Sequence, residues 1–172
     1  LYQAKAFNSY GLSEMNGPGV AFECAYQTGL HVWEDAYFLE IVNPKTLKPC
    51  PAGELGEMVL TTLCRQATPI LRYRTKDLAY WIDEPCPCGR THYRISRIQG
   101  RTDDMFIYHG VNIFPIQIDK VLMNNPEVGS NYLITLERKD LRDTMKIEIE
   151  IKPELFIGDL PKLERLRERI QA

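Results

Sequence analysis

The stretch of sequence that decides the fold is Arg97-Ile-Gln-Gly-Arg-Thr-Asp-Asp-Met-Phe-Ile-Tyr-His-Gly-Val-Asn-Ile-Phe-Pro115. It combines Gly-Arg, two consecutive aspartates and a short apolar run with a proline, a residue type that favours the first position of a helix. The sequence changes in character across this stretch, which indicates a boundary between two units. We predict a mostly-β unit over residues 1–100, a hinge over residues 101–104 and a small α+β unit over residues 105–172.

The sequence before this stretch consists of short apolar and aromatic runs separated by glycine and proline. The run His31-Val-Trp-Glu-Asp-Ala-Tyr-Phe-Leu-Glu-Ile-Val42 is rich in aromatic and β-branched residues, as strands are. Turns are predicted at Asn43-Pro44 and at residues 51–56, and a further strand at residues 57–63. These features predict a distorted, barrel-like β unit.

After the stretch, helical and strand patterns alternate. Pro115 begins a predicted helix that continues to about Asn124 with one apolar face. The predicted elements of this unit are a strand at 105–108, the helix at 115–124, strands at 131–137 and 144–152, and a charged amphipathic helix at 160–170. This order is that of a ferredoxin-like α+β fold without its last strand.

Composition excludes several classes of protein. Twenty-one basic and 23 acidic residues give a net charge of −2, which argues against a nucleic-acid partner. The apolar runs are shorter than the roughly 20 residues of a membrane helix, and the first residues do not form a secretory signal. Five cysteines, an odd number, favour reduced thiols or a metal site over a disulfide framework. We therefore expect a cytoplasmic protein.

Three motifs could carry chemistry, although each has a plain structural alternative. Asn8-Ser-Tyr-Gly-Leu-Ser-Glu14 places a ring, a hydroxyl and a carboxylate on one loop, but it could also be a solvated turn. Tyr73-Arg-Thr-Lys-Asp-Leu78 offers an aspartate that could accept hydrogen bonds from ribose hydroxyls, or it could be an ordinary strand end. The third motif is the opening stretch, whose alternative interpretation is a linker with solvated charges.

Taken together and in this order, the motifs resemble the later signatures of the adenylate-forming enzymes. That pattern is an aromatic-Gly-x-Thr/Ser-Glu loop, Gly-Glu-Leu (here Gly53-Glu-Leu55), Tyr-Arg-Thr-Gly-Asp and Gly-Arg-x-Asp-Asp. Lys76 replaces the glycine of the Tyr-Arg-Thr-Gly-Asp motif. Further runs resemble the phenylacetate–CoA ligase branch in particular: residues 16–24, 30–35, 86–91 and 110–115. The resemblance covers nearly the whole chain.

The resemblance implies an ATP-dependent reaction in which an aryl-acetic acid forms an acyl-adenylate and then a CoA thioester, with release of pyrophosphate and AMP. The implied cofactors are ATP, Mg²⁺ and coenzyme A. Seven residues match family positions with implied roles: Tyr10 beside adenine, Ser13 at the α-phosphate or acyl carboxylate, Glu14 on Mg²⁺, Asp77 on the ribose hydroxyls, Arg101 at ribose or phosphate, Asp103 as the hinge, and Gly110 in the CoA tunnel.

Two family elements are not found in this sequence, namely the Ser/Thr/Gly-rich phosphate loop and the catalytic lysine. Lys162 lies on a predicted helix and is not assigned the lysine's role. We therefore expect the chain to be a C-terminal portion that is inactive alone. Two other functions stay open, a zinc-stabilised non-catalytic module and an adenylating enzyme whose acceptor is not CoA. The identity of the acid and the formation of a homodimer also stay open.

A zinc site is predicted independently of the nucleotide motifs. Cys86-Pro-Cys88-Gly89 is a knuckle-like loop, and Cys24 and His31 are close enough in sequence for a hairpin to bring them together. Three thiols and an imidazole form a Cys₃His set that suits structural zinc. The alternative is unrelated buried or exposed thiols, and His92 is a fallback ligand if His31 points away.

The aromatic cluster Trp33, Tyr37 and Phe38 could line a substrate pocket, but aromatic residues in strands usually pack in the core. We therefore expect all three to be core residues.

Overall fold

The computed structural model describes residues 4–15, 17–139, 142–153 and 160–171, which form two compact units. The units are Leu1–Asp103 and Asp104–Ala172. This division falls inside the segment 101–104 in which the sequence predicts a hinge, while the hinge motion itself stays a prediction.

The regular secondary structure in the described part of the first unit consists almost entirely of short strands. They are β1 (Ser9–Leu12), β2 (Gly17–Glu23), β3 (Leu30–Val32), β4 (Tyr37–Val42), β5 (Gly56–Thr62), β6 (Tyr73–Ala79), β7 (Trp81–Ile82), β8 (Arg94–Ile95) and β9 (Gly100–Arg101). A 3₁₀ turn, Ser13–Met15, follows β1. The strands form one sheet in the order β1-β2-β3-β8-β7 and a second in the order β4-β5-β6-β9, with antiparallel pairing throughout.

The run from His31 to Val42, predicted as one strand, is divided between the two sheets. The carbonyl of Trp33 accepts hydrogen bonds from the backbone N–H groups of Ala36 and Tyr37, at 3.1 and 2.9 Å. This turn ends β3 and starts β4 in the other sheet. The high β propensity of the run hides the turn, because Trp33 resembles a strand residue.

Both sheets contribute side chains to one hydrophobic core. Strand β5 is buried at six of its seven positions, as expected for a strand between β4 and β6 whose faces are both covered. Its Met58 and Leu60 pack with Leu30 of β3 and Ile95 of β8. This shared core fixes the two sheets to each other and so brings the ends of β1, β6 and β9 together.

The second unit has the α+β character that the sequence predicts. Its elements are β10 (Phe106–Tyr108), β11 (Val111–Ile113), α1 (Pro115–Met123), β12 (Val128–Lys139), β13 (Arg142–Ile151) and α2 (Leu160–Gln171). β12 and β13 form a long antiparallel hairpin, and residues 140–141 between them lie outside the described residues. These strands extend further toward the turn than predicted.

Strand β11 is absent from the prediction. It pairs antiparallel with β10, with Tyr108 opposite Val111, so only His109 and Gly110 connect the two strands. Both connecting residues have positive φ, 48° and 80°, as a two-residue type I′ hairpin requires. A residue followed by glycine between two short apolar runs is the signal that could have revealed this hairpin.

None of the helices in the described ranges has the length and apolar character needed to span a membrane.

The buried carboxylate of Glu23 joins three segments of the first unit. It accepts hydrogen bonds from the backbone N–H of Asn8 at 2.8 Å and from Nε of Arg97 at 2.6 Å. Burial raises the pKa of Glu23, but the hydrogen bonds from Arg97 and Asn8 outweigh burial, and the net effect is a lowered pKa. Glu23 therefore stabilises the fold in its ionised form.

We predict that Glu23→Gln lowers the free energy of unfolding at pH 7 by about 1–3 kcal/mol, because it removes a charge-assisted hydrogen bond in the interior. A lowered pKa in the folded state contributes stability that is complete above the unfolded value of about 4.3 and is lost as pH falls through the folded value. The difference between parent and variant should therefore shrink with acidification. Urea unfolding at pH 7 and at lower pH measures it, with the exposed Glu84→Gln as control. An equal difference at both pH values would contradict the prediction.

Candidate functional site

The centre of the candidate site is an ion pair between two adjacent strands. Asp77 in β6 lies directly opposite Arg101 in β9, so the antiparallel pairing brings the second and third sequence motifs together. Nη1 of Arg101 donates a hydrogen bond to Oδ1 of Asp77 at 2.9 Å. The Asp77 side chain is 12% exposed, so it borders the surface without being fully buried.

The first motif reaches the same carboxylate through Tyr10. Its hydroxyl donates to Oδ2 of Asp77 at 2.6 Å, so each oxygen of Asp77 has one partner. Burial, and then the hydrogen bond to Asp77, raise the pKa of Tyr10 far above its ordinary value. The Tyr10 ring is only 7% exposed and belongs to the hydrophobic core. Its role beside adenine stays a prediction, and its contact in this structure is with Asp77.

Arg101 also forms a two-bond fork with the predicted hinge residue. Its Nε and Nη2 atoms donate to the two carboxylate oxygens of Asp103, both at 3.0 Å. The hydrogen bonds from Arg101 lower the pKa of Asp103. Arg101 thus holds Asp77 and Asp103 at the same time, in the planar geometry that suits guanidinium and carboxylate.

Lys76, which replaces glycine in the family pattern, adopts a backbone conformation that favours glycine. Its φ is +71°, and the β5–β6 pairing shifts register here, from Val59 opposite Arg74 to Glu57 opposite Leu78. A bulge of this kind redirects the next side chain. The backbone N–H of Thr102 donates to the Lys76 carbonyl at 2.8 Å, which fixes the strand next to Asp77.

Ser13 and Glu14 are exposed on the 3₁₀ turn after β1. The hydroxyl of Tyr73 donates to Oε1 of Glu14 at 3.1 Å, and Arg65 donates to the Glu14 carbonyl. Glu14 is therefore tied to β6, the strand of Asp77. The contributions of Tyr73 and Arg65 were missed in the sequence, although Tyr73 begins the second motif and could have been considered.

Gly110 lies in the second unit, in the β10–β11 turn. A Cβ atom added there would meet no atom within 4 Å, so the glycine is required by its φ of +80° and not by crowding. The space around it is open in the described residues of that unit.

The expectation that all three aromatic residues of the β3–β4 region are core is wrong for two of them. Trp33, where the turn between the sheets begins, is 46% exposed, and Phe38, at an outward-facing position of β4, is 56% exposed. Tyr37 packs against the core and its hydroxyl donates to the Met15 carbonyl at 2.8 Å. Tyr37 and Phe38 line a groove of about 520 Å³ with Trp81.

The four residues of the predicted zinc site lie together. One ligand atom from each of Cys24, His31, Cys86 and Cys88 lies within 4.8 Å of all the others. His31, and not the fallback His92, completes the group. A hydrogen bond from the backbone of Arg90 lowers the pKa of Cys88 to about 7, whereas burial raises the pKa of Cys24 and lowers that of His31.

Comparison with known proteins identifies the relatives of this chain. Residues 110–172 match the family described as AMP-binding enzyme C-terminal domain. The chain is 46% identical over 153 residues to phenylacetate-coenzyme A ligase of Thermus thermophilus, covering 88% of this chain and 34% of that protein. It is 41% identical over 148 residues to the Escherichia coli enzyme of the same name, covering 86% of this chain and 33% of that protein. The chain thus spans about a third of the length of these curated relatives.

Among solved structures, 2-hydroxyisobutyryl-CoA ligase in the postadenylation state, in complex with R3-HIB-AMP, superimposes with a TM-score of 0.89 at 30% identity. The match covers 99% of this chain and 37% of that structure. The chain therefore belongs to the adenylate-forming acyl-CoA ligases and is homologous to about one third of a phenylacetate-coenzyme A ligase, the part that includes the C-terminal domain.

Proposed function

We propose that this chain forms part of the ATP site, and the hinge, of an ATP-dependent aryl-acetate CoA ligase whose acid is phenylacetate. Such an enzyme converts the acid and ATP to acyl-adenylate and pyrophosphate, and then transfers the acyl group to CoA with release of AMP. The observation that carries the proposal is the Asp77 carboxylate, held by Tyr10 and Arg101 where three motifs meet. The relatives named phenylacetate-coenzyme A ligase support the choice of acid and of CoA.

In this proposal Asp77 binds the ribose of ATP. An ionised carboxylate has about four lone-pair positions, and two of those on Asp77 are occupied by Tyr10 and Arg101. The remaining positions can accept hydrogen bonds from two vicinal hydroxyls. Arg101 is next to this position and supplies positive charge toward ribose or phosphate.

The catalytic roles are divided between residues near Asp77 and elements that we did not find in the sequence. Glu14 is proposed to coordinate Mg²⁺ and Ser13 to contact the α-phosphate or the acyl carboxylate, both from the exposed 3₁₀ turn. The phosphate loop and the lysine would come from other parts of the complete enzyme. Gly110, with open space around it, is proposed to line the CoA tunnel.

Asp103 is proposed as the hinge between the two half-reactions. It is the last residue of the first compact unit, so a change in its backbone angles would reorient the second unit with few residues involved. Its side chain is held in the Arg101 fork, which fixes the hinge residue to the strand that carries the ribose site.

The two alternative functions are less well supported. A non-catalytic module has no need for Glu14, Asp77 and Arg101 in one site. An adenylating enzyme with a different acceptor would share the nucleotide residues, but the relatives that match the chain are named as CoA ligases. A cytoplasmic location stays a prediction.

We predict that the 172-residue chain alone forms no acyl-CoA. Adenylation depends on pre-placed donors that stabilise charge on the phosphates, and the proposal assigns the main donors to other parts of the enzyme. The assay contains phenylacetate, ATP, Mg²⁺ and CoA and follows AMP and thioester, with the complete Thermus thermophilus relative as positive control. Turnover by the chain clearly above background would overturn this expectation.

We predict that Asp77→Ala in the complete ligase raises the KM for ATP roughly 5- to 150-fold. The reason is that removing the carboxylate leaves two ribose hydroxyls unpaired, at a cost of about 1–3 kcal/mol. The exposed Asp83→Ala serves as the matched control.

Asp77 also holds Tyr10 and Arg101, so a structural effect must be separated from a loss of ribose binding. Tyr10→Phe removes the same Tyr10–Asp77 hydrogen bond but keeps the carboxylate. Tyr10→Phe should therefore lower thermal stability while changing the KM for ATP less than Asp77→Ala does. If the two variants raise KM equally, or if Asp77→Ala leaves it unchanged, the ribose assignment is wrong.

A further inference from the structure

We infer that Cys24, His31, Cys86 and Cys88 bind one structural Zn²⁺ ion in a tetrahedral Cys₃His site. This inference does not depend on the proposed ligase activity. The four residues come from two separate places, the β2–β3 hairpin and the connection between β7 and β8.

The distances between the ligand atoms fit a zinc tetrahedron. Zn–S bonds of about 2.3 Å and Zn–N bonds of about 2.0–2.1 Å place two sulfurs roughly 3.8 Å apart and a sulfur and a nitrogen roughly 3.6 Å apart. In the structure Sγ of Cys24 is 3.6 Å from Sγ of Cys86, and Sγ of Cys88 is 3.4 Å from Nε2 of His31. A disulfide needs about 2.05 Å, and both cysteines of the first pair are free thiols.

The types of ligand atom determine which metal ion the site prefers. Three sulfurs and one imidazole nitrogen are soft or borderline ligands, which suit Zn²⁺ and not Mg²⁺ or Ca²⁺, since those ions prefer oxygen. Four protein ligands close the coordination shell, as in structural zinc sites, whereas catalytic sites keep one position open. Cys24, His31 and Cys86 are each 7% exposed and Cys88 is half-buried, so most of the site is shielded from solvent.

The backbone conformation of the 86–90 loop places the sulfurs of Cys86 and Cys88 in the group. The N–H of Gly89 donates to the Cys86 carbonyl at 3.0 Å, and Gly89 has a φ of +79°. In the hairpin, the N–H of Gln27 donates to the Cys24 carbonyl at 3.0 Å, with the same spacing along the chain. Cys24 and Cys86 therefore each begin a tight turn.

Positively charged side chains near the proposed zinc site offset its negative net charge. One Zn²⁺ with three thiolates and a neutral imidazole has a net charge of −1, and Arg90 and Arg94 both act electrostatically on His31. Arg94 is buried and donates to the Thr28 carbonyl at 2.9 Å and to the Glu84 carbonyl. It thereby links the same hairpin and loop that the metal would join, so the ligands are brought together before the metal binds.

His31 provides a further indication. Its side chain is buried, and Nε2, the ring nitrogen that faces the thiols, has the Cys88 thiol as its partner. A thiol is a weak hydrogen-bonding group, whereas buried polar atoms normally have a strong partner. A zinc ion within the group would give Nε2 that partner.

The test is metal content and Co²⁺ spectroscopy of the 172-residue chain, purified with reductant and without chelator. We expect about one equivalent of zinc, and Co²⁺ substitution should give the visible bands of tetrahedral coordination together with thiolate charge-transfer absorption. Cys86→Ser/Cys88→Ser should lose both signals. The matched control is Cys50→Ser/Cys64→Ser, which removes two thiols outside the site and should keep both.

Two further variants cover the case in which the double serine variant does not fold. His31→Cys should retain about one equivalent, because Cys₄ is also a structural zinc set, and should show stronger thiolate charge transfer with Co²⁺. His31→Ala should weaken zinc binding by more than the roughly 10- to 100-fold that loss of an outer-shell partner costs. Parent protein with less than about a tenth of an equivalent after incubation with zinc, or equal zinc content in the parent and in the folded Cys86→Ser/Cys88→Ser variant, would overturn the inference.

Discussion

The arrangement of the two sheets in the first unit depends on the hydrogen bonds that the Asp77 carboxylate accepts at the edge of the core. A carboxylate removed from water is costly unless it is paired and hydrogen-bonded. Tyr10 from one sheet and Arg101 from the other supply those bonds, at 2.6 and 2.9 Å. The same three residues therefore join the two sheets and assemble the candidate ribose site, so packing and binding geometry share one set of contacts.

Two further polar connections of this unit lie in the β1–β2–β3 part of the five-stranded sheet. Glu23 at the end of β2 joins the segment before β1 to Arg97, and the adjacent Cys24 belongs to the thiol–imidazole cluster. The cluster fixes the β2–β3 hairpin to the loop before β8. Strand β1, which carries Tyr10, pairs directly with β2. The supports of the thiol–imidazole cluster and of the candidate nucleotide site are thus neighbours in one sheet, although the chemistry proposed for each is independent.

The sequence predicted features that depend on residue type and missed those that depend on a change of backbone direction. Cys24, His31, Cys86 and Cys88 could be grouped because few other functions explain three thiols and an imidazole around Gly29 and Gly89. The α+β class followed from periodicity. The turn at Trp33–Ala36 and the β10–β11 hairpin were missed, because an aromatic residue and a histidine occupy positions where turn residues are usually found. The hydrogen bond from Tyr10 to Asp77 was not predicted, because neither residue type by itself identifies a partner 67 positions away.

Tyr10 positions Asp77 in this structure, and its role beside adenine stays a prediction. Its ring is packed among core side chains, and the residue is only 7% exposed. Burial and Asp77 raise the pKa of Tyr10, which favours the protonated hydroxyl as the donor of this hydrogen bond. Asp77 is the acceptor, with Oδ2 fixed by Tyr10 and Oδ1 by Arg101. A carboxylate restrained at both oxygens has its remaining lone pairs fixed in direction, and two fixed acceptors are what a pair of vicinal hydroxyls requires.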